Sequence, residues 1–241
     1  MSVPPVLGTM SKHIVSSFDN DLILVQAKIS EMGGQCEELL SKALEAVEKH
    51  DKALAKRVIE RDKKIDTLEM EVEELVVTTI ALRQPMAQDL RVLISAMKIA
   101  TTLERIGDLA KNISKRTLTV SKAGPVPITS SIVRMGRATL AQLSEVLNAY
   151  TARDTAKAVG VWNRDVDIDE MYNALFREVV TYMMEDSRMI GAGSQMLFVA
   201  KNLERIGDHT THVSEMIYYI VNGELLGDDR PKGEPLGLDM E

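Results

Sequence analysis

A six-residue element, Leu103-Glu104-Arg105-Ile106-Gly107-Asp108, returns unchanged as Leu203-Glu204-Arg205-Ile206-Gly207-Asp208, and its surroundings repeat with it. A shift of 103 residues lays Met32-Gly33 on Met135-Gly136 and Asp51 on Asp154. The same shift lays Val58, Arg61, Asp62, Ile65 and Asp66 on Val161, Arg164, Asp165, Ile168 and Asp169, and Val76-Val77-Thr78 on Val179-Val180-Thr181. By the hexapeptide the shift has become 100. A chain made of two copies of one unit folds as two copies of one unit, and two copies are too few for a solenoid.

The unit is helical. Ala, Leu, Met, Glu and Lys dominate, aromatic residues are 4% of the chain, and helix formers on that scale leave little for a sheet. Proline, which breaks helix interiors, falls only at residues 4 and 5, at 85, at 125 and 127, and in the tail at 231 and 235. These breaks predict three helices per copy: Ser11 to His50, Lys52 to Arg83 and Met86 to Val120, then Ile128 to Tyr150, Ala152 to Asp186 and Ser187 to Val221. His50-Asp51 and Arg153-Asp154 are joints with aspartate as N-cap, and such short joints make neighbouring helices antiparallel. The expected fold is all-α, two tandem three-helix bundles related by internal duplication. Residues 1–122 form the first, 123–222 the second, and 223–241 a mobile acidic tail. Met32-Gly33-Gly34 is expected to bend the first helix.

Composition excludes several functions. The net charge of −7 is a poor match for nucleic acid, which needs a basic stripe. No window approaches about 18 uninterrupted apolar residues, so no membrane insertion is expected. Met1 to Thr9 lack the basic stretch and long apolar core of a secretory signal, and the lone Cys36 fits a reducing compartment. A cytoplasmic protein is expected.

The repeated hexapeptide costs stability, because it sets like charges four apart and a glycine inside a helix. Glu104 with Asp108, and Glu204 with Asp208, point the same way and could chelate one cation. At about 100° per residue, Leu90, Ile94, Met97, Thr101, Glu104 and Asp108 share one wedge, so the acids extend an apolar stripe expected to face neighbouring helices. Folding the hairpin about Pro85 brings Asp66 level with Glu104 and Asp62 level with Asp108. In the second copy Asp169 comes level with Glu204, with Asp165 one turn before it. Four carboxylates thus converge in each bundle, an all-oxygen set suited to magnesium, manganese or iron. The plainer alternatives are a solvated acidic face, Asp62 and Asp66 paired with Lys63 or lysines of the next helix, and Lys201 neutralising Glu204. His209 and His212 read as solvated, since their counterparts are Leu109 and Asn112. No nucleophile constellation or phosphate loop is present, and no Glu-x-x-His of the iron-oxidase bundles precedes any histidine.

The duplicated three-helix unit with its two LERIGD elements resembles the PhoU family of phosphate-uptake regulators. The stretches Arg83-Gln84-Pro85, Asp89-Leu90-Arg91 and Tyr182-Met183-Met184-Glu185-Asp186-Ser187-Arg188 resemble that family's signatures, and the likeness runs from about Lys12 to Val221. It implies metal ions, divalent or trivalent, at Glu104, Asp108, Glu204 and Asp208. It implies a homodimer or other homo-oligomer that represses phosphate uptake and phosphate-starvation signalling. The implied partners are the phosphate ABC transporter with its ATPase at the inner membrane and a sensor histidine kinase, which would bring the protein peripherally to that membrane. The resulting expectation is a non-enzymatic, metal-binding adaptor. The rivals are a di-metal carboxylate enzyme and a purely structural helical scaffold.

Overall fold

A computed structural model describes residues 7–120 and 126–227, with side chains from residue 18 onward. Seven α-helices follow one another: α1 (Leu7–Lys49), α2 (Lys52–Arg61), α3 (Lys63–Arg83), α4 (Gln88–Val120), α5 (Thr129–Ala152), α6 (Thr155–Glu185) and α7 (Ile190–Asn222). A three-residue 3₁₀ turn, Ser187–Met189, precedes α7, and no strand occurs among the described residues. The 122/123 boundary and the tail beyond residue 227 lie outside the described residues.

Both joints are built as the sequence predicts. The Asp51 carboxylate accepts the Leu54 N–H and the Asp154 carboxylate accepts the Lys157 N–H, each at 2.9 Å. Each cap follows a residue in the left-handed region, His50 (φ 52°) and Arg153 (φ 54°), which ends the preceding helix. One helix was predicted from Lys52 to Arg83, yet the structure divides it at Asp62. There the Ile65 N–H reaches back to the Asp62 carbonyl at 2.8 Å, an i→i+3 bond that tightens the turn, while α6 runs unbroken through the equivalent position.

Helices α1, α4, α7 and α5 each pack against the next around a ring, and among the described residues neither diagonal pair of backbones comes close. Helices α2 and α3 pack against α1 and α4, and α6 packs against α5 and α7. Buried side chains from both copies join in one contiguous cluster, running from Val25 and Ile29 through Leu103 and Ile106 to Leu203 and Ile206.

The copies meet across an approximate two-fold axis. Gly33 lies against Leu147 and, in the equivalent position, Gly136 lies against Leu44; a Cβ on Gly33 would stand 2.6 Å from the Leu147 Cδ2. Helix α1 is continuous through Met32-Gly33-Gly34, and Gly33 serves a close helix–helix approach. Arg91 lies beside Gly223, and Arg116 hydrogen-bonds Gln195 and stacks on Phe198, so α4 and α7 run antiparallel. The midpoint of that register falls where the two LERIGD elements cross.

Candidate functional site

The core face of α4 runs through Leu93, Ala96, Ala100, Leu103, Gly107 and Ala110, all buried. The predicted wedge is split: Leu90, Ile94 and Thr101 are exposed, against the expectation that it faces neighbouring helices, whereas Met97 is half-buried and packs on the core. Contact with α1, α2, α3 and α7 buries a sector broader than one stripe, and Glu104 and Asp108 lie half-buried at its edge.

In the first copy the hairpin brings its acids level as predicted. Lys111 Nζ bridges Asp62 Oδ2 and Asp108 Oδ1. Asp62 is 2% exposed, and its Oδ1 has no hydrogen-bond partner among the described residues. Burial pushes the Asp62 carboxyl above its ordinary range, with the charges of Asp66 and Asp108 adding to the shift and Lys111 opposing it. Burial likewise raises Glu104, helped by Asp108, Glu69 and Asp66, while Arg105 stands 3.7 Å away. Cys36 on α1 completes the wall: its thiol donates to the Leu103 carbonyl at 3.2 Å, and burial holds it protonated.

The second copy solves the same problem differently. Asp165 is 1% exposed and turns inward, where Gln142 Nε2 donates to its Oδ1 at 2.9 Å and to Thr210 Oγ1 at 2.8 Å. Glu204 is held by Lys201 at 2.6 Å, as the sequence suggested, and its buried Oε2 has no hydrogen-bond partner among the described residues. Burial raises its carboxyl, with Asp208 and Asp169 reinforcing the shift. Asp169, Glu204 and Asp208 therefore share one field, and Asp165 lies in the interior.

The motif glycines have a common purpose. A Cβ on Gly207 would stand 2.7 Å from Asp165 Oδ1, and one on Gly107 would stand 2.8 Å from Ile65 Cδ1 and 3.3 Å from Asp62 Oδ1. Each leaves room for an aspartate of the facing helix. His209 is half-buried, not solvated; burial lowers its pKa, with Arg205, His212 and Arg105 adding to the effect and Asp208 opposing it. His212 sits 3.1 Å from Glu215.

Among the described residues no three His, Cys, Asp or Glu side chains form a group arranged to hold a metal. The chemistry of the donors nonetheless fits a hard cation, since they are all carboxylates and two of their oxygens are buried without partners. In this arrangement the Lys111 ammonium stands where a cation between Asp62 and Asp108 would stand. The alternative that Asp62 pairs with a lysine of the next helix is what Lys111 does, whereas sequence reasoning missed Gln142. Gln142 was detectable, because the repeat register lays it on the buried Leu39.

The PhoU domain model matches residues 29–117 and again residues 132–217. The chain belongs to the PhoU family. It is similar to the phosphate-specific transport system accessory protein PhoU homolog of Caulobacter vibrioides, 47% identical over 92% of this chain and 97% of that one. It is similar too to the phosphate-specific transport system accessory protein PhoU of Escherichia coli, 39% identical over 89% of each. Among solved structures, PhoU from Pseudomonas aeruginosa superposes with a TM-score of 0.84 at 35% identity, covering 86% of this chain and 100% of that one. The phosphate transport system regulatory protein PhoU from Streptococcus pneumoniae gives 0.81 at 30% identity, covering 87% and 99%.

Proposed function

We propose that this chain is a regulatory accessory protein of a phosphate transport system, a non-enzymatic adaptor that restrains phosphate uptake and phosphate-starvation signalling. The observation that carries this reading is the near-full-length likeness to accessory proteins of that name, over both copies of the repeat. Its partners are the ATPase of the phosphate ABC transporter at the inner membrane and a sensor histidine kinase. The adaptor works from the cytoplasm and reaches the membrane peripherally; no helix among the described residues is long and apolar enough to cross a membrane.

Metal ions, iron, manganese or magnesium, bind at the helix-hairpin carboxylates. Asp66, Glu104 and Asp108, with Asp62 behind them, hold metal in the first copy; Asp169, Glu204 and Asp208 hold it in the second, with Asp165 supporting from the interior. Bound metal supplies positive charge between facing helices. The side chains do the rest: Lys111 and Lys201 neutralise the acids when metal is absent, and the motif glycines keep the facing aspartates close. Metal shifts the population toward the docking form only as far as it binds that form more tightly.

A homodimer suits the exposed apolar residues. Leu82, Met86, Leu90 and Ile94 gather around the α3–α4 turn, beside Ile23 and Leu24, at the end where Arg83 pairs with Asp21.

The test is complementation of a bacterium lacking its own PhoU, read by a phosphate-starvation reporter in phosphate-rich medium. The expected result is restored repression, and reduced repression when Glu104, Asp108, Glu204 and Asp208 are all replaced by alanine. A wild-type chain that is expressed and folded yet leaves the reporter fully induced contradicts the reading.

A further inference from the structure

Helix α2 departs from its copy in one respect. Between Lys52 and Lys64 there are six bases and two acids, whereas the matching stretch from Thr155 to Asp167 has two of each. The fold therefore does not require the bases. Arg61 pairs with Glu38 of α1 and Lys64 with Glu31. Lys52, Lys56, Arg57 and Lys63 are exposed and make no ion pair with a described residue. The acids nearby are already engaged: Asp51 caps α2, Glu45 holds Lys42 and Lys49, Glu48 holds Arg137, and Asp62 holds Lys111. Only Glu60 remains uncommitted on the exposed face.

The orientation of α2 is fixed by Asp62, which points at α4, and Arg61, which points at α1. Lys52 and Lys56 of α2, and Lys63 at the start of α3, are spaced four and seven apart and line the flank nearer α4. The exposed Lys115 on that helix extends the strip, and Leu118 of α4 packs on Leu54 and Ala55 of α2. The same end of the molecule carries the α6–α7 connection, because Arg116 of α4 touches Gln195 and Phe198. There Met184 and Ile190 are 82% and 51% exposed.

We propose that this cationic strip, Lys52, Lys56, Lys63 and Lys115, is a contact surface for the anionic phospholipid headgroups of a membrane. Three observations favour lipid over a protein partner. All four cations are lysines, which act as mobile point charges and lack the planar fork of arginine that suits bidentate recognition. No large hydrophobic side chain is exposed between Lys49 and Lys64, so the strip has no anchor of the kind that carries protein interfaces. The apolar residues sit apart, at the hairpin tip of the same end, where they can enter the headgroup boundary while the lysines stay among the phosphates. The strip does not depend on the regulatory reading above.

The test is co-sedimentation of the full chain with phosphatidylcholine vesicles, with and without phosphatidylglycerol. Binding is expected only with phosphatidylglycerol, and should vanish at about 1 M salt, where the screening length falls to about 3 Å. The triple variant Lys52→Gln, Lys56→Gln, Lys63→Gln should bind on the order of 100-fold more weakly, at about fivefold per cation. A control with equal charge loss elsewhere, Lys98→Gln, Lys157→Gln, Arg177→Gln, should bind nearly as wild type, and unchanged melting would show that both variants fold. Equal weakening in the two triples, or binding that ignores phosphatidylglycerol, overturns the proposal. Tighter binding to duplex DNA than to the anionic vesicles overturns it in favour of a nucleic-acid surface.

Discussion

Lys111→Met removes the ammonium that joins Asp62 to Asp108 while keeping a stem of similar length, so no large cavity forms. Asp108 is one-third exposed and loses little, under about 1 kcal/mol by the measure of exposed pairs. Asp62 is 2% exposed and already has one oxygen without a partner, so the variant leaves it a buried charge with nothing opposite. Breaking a buried pair from one side costs about 3–5 kcal/mol, and that range is the expected loss at pH 7. The pH dependence has a definite sign. The carboxyl of Asp62 is raised on folding, so its ionisation penalises the folded state above its folded pKa, and the penalty disappears as pH falls below the ordinary carboxylate value of about 4. Without Lys111 the pKa rises further. The gap between wild type and variant should therefore narrow as the pH drops from 7 toward 5. Asp62→Asn in the Lys111→Met background should recover at least half of the loss at pH 7, because it removes the stranded charge. Urea melts of the four proteins of this cycle, at both pH values, provide the measurement. A loss below about 1 kcal/mol at pH 7, with no recovery from Asp62→Asn, would refute the reasoning, since exposed pairs behave that way.

The glycines give two further expectations and a helix cap gives a third. Gly207→Ala forces Asp165 away from Gln142, so it should destabilise despite the gain of about 1 kcal/mol in helix propensity; Gly107→Ala meets first the flexible tip of Ile65 and should cost less, and thermal melts would separate the two. Gly34→Ala has open space around it and should stabilise by up to about 1 kcal/mol, whereas Gly33→Ala and Gly136→Ala should each destabilise by forcing α1 from α5. Asp154→Ala removes the cap of α6 and should cost about 1 kcal/mol in a urea melt, with Asp154→Asn close to neutral.

Much of this fold is legible in one sequence because the duplication states every signal twice. Asp51 and Asp154 cap helices where the repeat register says they should, and the prolines bracket helices whose ends the structure moves by only a few residues. Counting from Pro85 brings Asp62 level with Asp108 and Asp66 level with Glu104. What counting along a helix omits is azimuth. It did not show that Asp165 turns inward to Gln142, nor that Leu90 and Ile94 face solvent, since both depend on how many neighbours α4 and α6 have. A glycine inside a helix has two uses, and the sequence around Gly33 names only the bend; the close approach is visible only with Leu147 in place. The break at Asp62 sits where that carboxylate meets Lys111 of another helix, a contact 49 residues away in sequence.

The central claim is that the carboxylate clusters hold metal and that metal shapes the adaptor. The most direct measurement is elemental analysis of protein purified without chelator or affinity metal, with thermal melts before and after EDTA, on wild type and on Glu104→Ala/Asp108→Ala. Iron, manganese or magnesium should copurify with the wild type, and metal at a hundredfold above its dissociation constant should stabilise it by about 2.7 kcal/mol for one site. The double variant should lose the first-copy share of both the bound metal and the stabilisation. Metal-free wild-type protein whose melt is unchanged by EDTA and by added metal would contradict the claim, and would leave Lys111, Lys201 and Gln142 as the whole reason the buried acids are tolerated.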